Sequence, residues 1–236
     1  MSLLINVCCY NRLDITRLAL HSLVSARGRE DVVQVYNDHS TQYDNQALRG
    51  FCDEVVQLDN KLGIHALRHY QMERFLDSPH ELLYLTDNDA IHDPAYPQVL
   101  RAMYTRYAKP VCLYNSVFHA LPALQLAEYP DAYLRKIVPG ISVLLDKFMV
   151  EAILAHVGSR FHYAWDYELS EGWESGMITT KTSYVEHYGK DGLHNQDYER
   201  DRALNPTPEL ARYRNVVLTI LEKDLLGEHS HYQPQQ

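Results

Sequence analysis

Basic charge is in short supply. Lys and Arg number 22 against 31 Asp and Glu, a formal net charge of −9 over 236 residues. A nucleic-acid scaffold or a binder of anionic membranes needs a positive face, so neither is expected. A divalent metal is different, because carboxylates are the ligands it takes. Cysteine is also sparse: Cys8, Cys9, Cys52 and Cys112 show no repeated C-x-x-C spacing, which excludes a zinc ribbon and a disulfide framework. Cys8 and Cys9 sit side by side in an apolar run and read as reduced core thiols. No run approaches the roughly 18 apolar residues of a membrane span, and MSLLINVCCYNR carries neither a basic leader nor a small-residue cleavage site. A soluble cytoplasmic protein is therefore expected. No internal repeat and no Gly/Ser-rich linker divides the chain, so one domain is expected.

What is present is ordinary in bulk and uneven in detail. Apolar residues make up 46% and charged residues 22%, which excludes wholesale disorder. Tyrosine outnumbers phenylalanine 18 to 5, and its apolar face with a hydroxyl suits polar, ring-shaped ligands. In the first half, short apolar runs alternate with amphipathic stretches, the pattern of a parallel α/β sheet. Strands are predicted at Leu3–Cys9, Val32–Tyr36, Asp53–Leu58 and Glu81–Thr86. Helices are predicted after Leu13 (with Asn11 or Asp14 as caps), from Gly63 to about Leu76, and from Pro94 and Pro97 to about Ala108. Further on, an apolar run at Val111–Tyr114 precedes a segment, Val117–Arg135, that fits no single pattern. Ile141–Leu145 reads as a strand followed by a helix through about His156, Thr179–Val185 as one further strand, and Leu210–Leu226 as a C-terminal helix.

Polar clusters follow three of the first four strands, where open α/β sheets bind their ligands. Asp87-Asn88-Asp89 comes directly after an apolar strand. Two carboxylates at alternate positions there can converge on a hard cation such as Mg²⁺ or Mn²⁺ that bridges to phosphate, although an acidic loop with no ligand has the same letters. Asp38 in YNDHST can accept hydrogen bonds from a nucleobase or ribose, or simply form a turn or cap a helix. Asp166 and Glu168 in HYAWDYELSEGW are flanked by aromatics that would desolvate a carboxylate and suit it to general base work; equally, Asp166 can just begin a helix. His187 and His194 in SYVEHYGKDGLHN can complete a metal site begun by carboxylates, with Gly189 and Gly192 permitting a tight phosphate loop. Thirteen histidines in the chain make a packing role as natural.

Taken in order, these segments resemble the glycosyltransferases of the GT-A fold, specifically the family 2-like group. VCCYNR resembles that family's strand followed by Tyr-Asn-Arg, and YNDHST its Asp-x-Ser-Thr segment. LDNKLGIHALRHY is similar to its Asn-x-Gly helix start, and YLTDNDAIHDP to its strand, D-x-D and downstream Pro. VPGISVLLDKFMVEAI is similar to the strand and helix behind its acceptor site, AWDYELS to the motif carrying its base, and EHYGKDGLH to its late His-x-Gly segment. The resemblance covers about residues 3–195.

The resemblance implies a single α/β domain of GT-A type, a nucleotide-binding Rossmann-like mixed sheet flanked by helices. Residues 1–115 would form the donor half and 116–236 the acceptor-side half with the C-terminal helix. It also implies roles. Asp38 would contact the nucleoside, with the backbone from Cys9 through Tyr10 to Asn11 lining the base, and Arg12, Arg68, Asp87 and Asn88 would complete the donor site. Asp89 would bind the metal directly, Asp87 would reach ribose or the metal's water shell, and His187 would be the remaining metal ligand. Asp166 would be the base, with Glu168 second, since Trp165 stands where the family often has Glu. The implied reaction is metal-dependent transfer of a sugar, with inversion, from a nucleoside-diphosphate sugar (UDP by default) to a hydroxyl of a carbohydrate or glycoconjugate acceptor. Three other classes share features with this sequence. A D-x-D phosphatase would carry its motif early and follow it with Gly-Thr, whereas here it starts at residue 87 and Ala90-Ile91 follow. A nucleotidyltransferase would need an early Gly-rich phosphate loop, which is missing. A silent sugar-nucleotide-binding domain would have the same donor residues.

Overall fold

The computed structural model describes residues 1–188 and 202–213 of the chain. Leu3–Cys9 forms β1, and all seven of its residues are buried. An unalternating apolar run is what a strand covered on both faces requires. Accordingly β1 pairs in parallel with β2 (Val32–Asn37) on one side and β4 (Leu82–Asp87) on the other, and β3 (Glu54–Gln57) extends the parallel set beyond β2. The connections are α1 (Leu13–Val24) and α2 (Ile64–Leu76).

Beyond β4 the sheet changes direction. After α3 (Tyr96–Tyr107) and the short β6 (Val111–Cys112), strand β9 (Ser142–Asp146) runs antiparallel between β4 and β6. Strand β10 (Met177–Thr180) is parallel to β6, and the hairpin of β7 (Gln125–Glu128) and β8 (Ala132–Arg135) closes the far edge. The order across the sheet is β3-β2-β1-β4-β9-β6-β10-β8-β7. Two helices cover the second half: α4 (Lys147–Val157), capped by Asp146 Oδ1 on the Met149 amide at 2.7 Å, and α5 (Trp165–Gly172). Val7, Leu85, Val143, Leu144, Met149 and Ile178 belong to one continuous apolar core. Each such side chain contributes about 1.5–3 kcal/mol on burial, so the sheet is a rigid platform for the loops at its edge.

The α/β architecture and its mixed sheet match the sequence expectation, and several local features do not. Neither Asn11 nor Asp14 caps α1: the helix starts on Arg12 in the left-handed region (φ 60°) with no side-chain cap. The Asn11 carbonyl oxygen Oδ1 instead accepts from the Thr41 and Gln42 amides at 2.8 and 3.2 Å, tying the end of β1 to the loop after β2. The segment left unassigned, Val117–Arg135, holds the edge hairpin, turned at Pro130-Asp131 by the Tyr129 amide on the Ala132 carbonyl at 2.8 Å. Thr179–Val185 is not one strand. It divides between β10 and β11 (Val185–His187), and β11 pairs antiparallel with β5 (Ala90–His92), a strand that three residues were too few to announce. Residues 208–213 are helical, and Leu210 packs with Ile15, Ala19, Ile91 and Tyr188. The rest of the expected C-terminal helix, Gly189, Gly192 and His194 lie outside the described residues.

Candidate active site

Asp87 is the last residue of β4, and Asp89 sits in the turn that leads to β5. Because β5 pairs with β11, with Ala90 opposite His187, the small two-stranded sheet carries His187 back to the end of β4. The result is a convergence: one ligand atom each from Asp87, Asp89 and His187 lies within 4.8 Å of the others. His187 Nε2 is 3.2 Å from Asp89 Oδ1, and Arg12 Nη1 is 3.0 Å from Asp89 Oδ2. Burial alone would raise the Asp89 carboxyl, but His187 and Arg12 outweigh it and hold it down at about 2. Two carboxylates and an imidazole form a hard-to-borderline donor set that fits Mg²⁺ or Mn²⁺.

Asp87 is aimed by a buried brace. Arg68, on α2, is fully buried and ion-pairs with the Asp87 carboxylate. It also donates to the Thr86 carbonyl at 2.9 Å and to Gln71 Oε1 at 2.8 Å, and it lies 5.1 Å from the Trp165 ring. Burial pushes the Asp87 carboxyl up and Arg68 pulls it back, while neighbouring Asp89 and Asp166 add repulsion. Arg68 thus reaches the site through Asp87. Asn88 is used for fastening, its amide donating to Thr16 Oγ1 at 2.7 Å and to the Asn11 carbonyl at 3.3 Å.

Asp38 is buried at the end of β2. Its two oxygens accept from the Leu62 and Gly63 amides at 2.6 and 2.8 Å, and its own amide donates to the Cys9 carbonyl at 2.8 Å. It therefore sets the start of α2 beside the end of β1. The Cys9 thiol is turned into the core, 2.6 Å from Tyr43 Oη, leaving only its backbone on the cleft side. The Tyr10 ring is half-buried, with Lys61 Nζ 3.5 Å from its centroid. Asn11 and Arg12 are consecutive residues with positive φ, 55° and 60°, a conformation costly enough to mark a built loop. Nothing in the spacing of Asn11 and Arg12 signals this conformation; Gln71, three residues after Arg68 on the same helix face, is visible by spacing alone.

The two carboxylates of α5 are in different situations. Glu168 is buried and serves the turn before its helix, accepting from the His162 and Tyr163 amides at 2.6 and 3.3 Å and facing His162 Nδ1 at 3.2 Å. Asp166 is partly exposed in the first turn, with the Gly140 and Tyr167 amides near it. Burial pushes its carboxyl up, and its charge in turn helps raise that of Asp87. Gly140 permits this placement, because a Cβ there would come within 2.4 Å of the Trp165 indole.

No family model matches the sequence, and no curated protein matches it. Solved structures do. TarS of S. aureus (residues 1–349, in complex with UDP-GlcNAc) superposes with a TM-score of 0.57 at 16% identity, over 78% of this chain and 58% of that one. The chain has the GT-A-type fold. The mannosyltransferase PcManGT from Pyrobaculum calidifontis, in complex with GDP-Man and Mn²⁺, gives 0.55 at 14% identity, over 75% and 56%. A197 from STIV gives 0.51 at 12%, over 80% and 86%. The chain thus spans less than two thirds of the length of the TarS and PcManGT chains. Identity at this level carries the architecture; the chemistry has to be argued from the residues. Among the described residues, no helix is long and apolar enough to cross a membrane.

Proposed function

We propose that the chain is a divalent-metal-dependent glycosyltransferase that moves a hexosyl group from a nucleoside-diphosphate sugar to an acceptor hydroxyl. The observation that carries this is the convergence of Asp87, Asp89 and His187 within 4.8 Å at the carboxyl ends of a GT-A-type sheet. Those three residues would hold Mn²⁺ or Mg²⁺, which when bound neutralises the diphosphate and the charge that develops on it. Residues 1–115 form the donor half: the backbone from Cys9 to Asn11, with Tyr10 and Asp38, lines the nucleoside, and Arg12, Asn88 and Arg68 hold the loops and Asp87 in place around it. The described residues from 116 onward form the acceptor side. TarS and PcManGT are seen in complex with different sugar nucleotides, UDP-GlcNAc and GDP-Man, which supports a nucleotide-sugar donor; UDP is the donor nucleoside proposed for this chain, and the cytoplasm its proposed location.

The transfer needs a base, because a sugar hydroxyl is a poor nucleophile. Asp166 takes that proton as the acceptor oxygen bonds to the anomeric carbon and the bond from that carbon to the diphosphate oxygen breaks. Attack in line with the leaving group inverts the anomeric centre. The partial exposure of Asp166 and its electrostatic influence on Asp87 support this reading, whereas Glu168 is spent on the 162–163 turn.

A thermal-shift panel of nucleoside diphosphates and sugar nucleotides, with and without Mn²⁺, tests the assignment. A ligand that binds the native state raises the melting temperature with concentration. A sugar nucleotide should stabilise the chain only when Mn²⁺ is present, and the stabilising donor should be slowly hydrolysed. No stabilisation by any sugar nucleotide would reject the proposal, and stabilisation with neither hydrolysis nor transfer would make the chain a binding domain.

A further inference from the structure

Arg135 ends β8 and is 2% exposed, yet among the described residues its guanidinium has no carboxylate partner. Its Nη2 donates to Asn115 Oδ1 at 2.8 Å, and its Nη1 is buried with no hydrogen-bond acceptor. The acidic residues nearest it in sequence are engaged elsewhere, Glu128 with Lys181 and Asp131 with Arg106 and Tyr107. Buried charge is normally paired, since desolvating it unpaired is costly.

A second orphan lies on the same face of the sheet. Thr179 is opposite both Tyr133 in β8 and Cys112 in β6, and Arg135 is two residues beyond Tyr133. Residues in register, or two apart along a strand, share a face. Thr179 is fully buried and its Oγ1 also lacks a partner. The Tyr133 ring has the Arg135 guanidinium at 5.1 Å from its centroid and Lys181 at 5.2 Å, the latter neutralised by Glu128, so Arg135 carries the uncompensated charge of the cluster. Beside it, burial and then Arg135 hold the His119 imidazole down at about 4, so that His119 is neutral and adds no charge.

We propose that Arg135 and Thr179 seat a small oxyanion, a phosphate or a carboxylate, with Asn115 orienting the guanidinium. Water would satisfy Nη1 and Oγ1 as donors but leave the charge uncompensated, whereas an oxyanion accepts from both and neutralises it. The Arg135 backbone lies opposite Met177 at the amino end of β10, and its guanidinium reaches Asn115, toward the sheet edge that carries Asp87. β6 and β10 run parallel to β4, so Asn115 and Lys181, beyond their carboxyl ends, lie on the sheet edge that carries Asp87. The anion is then either a free inorganic one or the charged group of an acceptor, and the chemistry at Arg135 is the same for both.

The test uses the whole chain in EDTA, without nucleotide, at constant ionic strength set with KCl, so that it is independent of the transferase proposal. Inorganic phosphate should raise the melting temperature by several degrees between about 1 and 100 mM, and Arg135→Met should abolish the shift. In phosphate-free buffer Arg135→Met should melt at or above the wild type, as removal of an unpaired buried charge predicts; a merely structural arginine would melt lower. Should that variant not fold, Thr179→Val keeps the charge and should demand several-fold more phosphate for the same shift. Glucose 1-phosphate acting at about tenfold lower concentration than phosphate, with glucose inert, would assign the anion to an acceptor; equal potency would assign a free anion. Equal shifts in wild type and Arg135→Met, or no shift in wild type, would overturn the site.

Discussion

His187 Nε2 lies 3.2 Å from Asp89 Oδ1 because β11 is zipped to β5 immediately after the acidic turn. A late imidazole and an early carboxylate are thereby held in one rigid frame, which also brings in Asp87. Asp89→Ala should abolish Mn²⁺-dependent donor binding. His187→Ala keeps both carboxylates and should weaken Mn²⁺ by about 10–100-fold. Titration of free Mn²⁺ by electron paramagnetic resonance reads this without turnover. Unchanged Mn²⁺ affinity in both variants would remove the metal from this cluster.

Asp166 is expected to separate binding from chemistry. Asp166→Asn should leave donor affinity near wild type and lower transfer by about 10²-fold or more. The base works ionised, so activity rises with pH through its pKa. Burial pushes that pKa up, so the acid limb of kcat/KM shifts upward from that of an ordinary aspartate. The same shift means that the ionised group costs the fold stability at neutral pH, an effect absent below the unfolded pKa and complete above the folded one. Asp166→Asn should therefore melt at or slightly above the wild type. Near-normal transfer in this variant would take the base role away from Asp166.

Glu168→Gln is the complementary case. The carboxylate holds two backbone amides in the 162–163 turn, and charge-assisted bonds of this kind are worth about 1.5–3 kcal/mol each before compensation by the amide oxygen. A stability loss of about 1–2 kcal/mol in urea denaturation is expected, with transfer by the folded fraction largely kept. A large loss of kcat at unchanged stability would instead make Glu168 catalytic.

The first half of the fold was legible because β1 and β4 are buried on both faces and the sequence says so: Leu3–Cys9 is apolar but for Asn6 and is β1 to the residue. The edge hairpin was not, since Gln125–Glu128 is mostly exposed and carries no inward stripe. For the site, residue types pointed to Asp87, Asp89 and His187 as possible ligands, but only β5 and β11, three residues each, bring them together. Asp166 and Glu168 could not be told apart in the sequence, because what distinguishes them is which backbone amides each meets. Arg68 was placed at the donor; the fold has it reach the site through Asp87 instead.

Those short strands rest on His92, which is fully enclosed. Its Nε2 meets Tyr84 Oη at 3.0 Å, its amide donates to Ser22 Oγ at 3.1 Å, and its ring lies 5.1 Å from that of Tyr96. Burial drives the imidazole down to about 3, against 6.5 when free. The folded state therefore refuses a proton that the unfolded chain accepts. Its contribution is intact above pH 6.5 and is lost as pH falls toward about 3, at about 1.4 kcal/mol per pH unit. Between pH 6.5 and 5 the wild type should lose about 2 kcal/mol through this group. His92→Gln should start less stable, because the packing and the bond to Tyr84 are weakened, yet show a flatter decline over the same interval. Urea midpoints of both proteins at pH 7.5, 6.5 and 5 provide the comparison. Parallel declines would show that the acid sensitivity arises elsewhere, and a steeper decline in the variant would contradict a neutral His92 beneath the site.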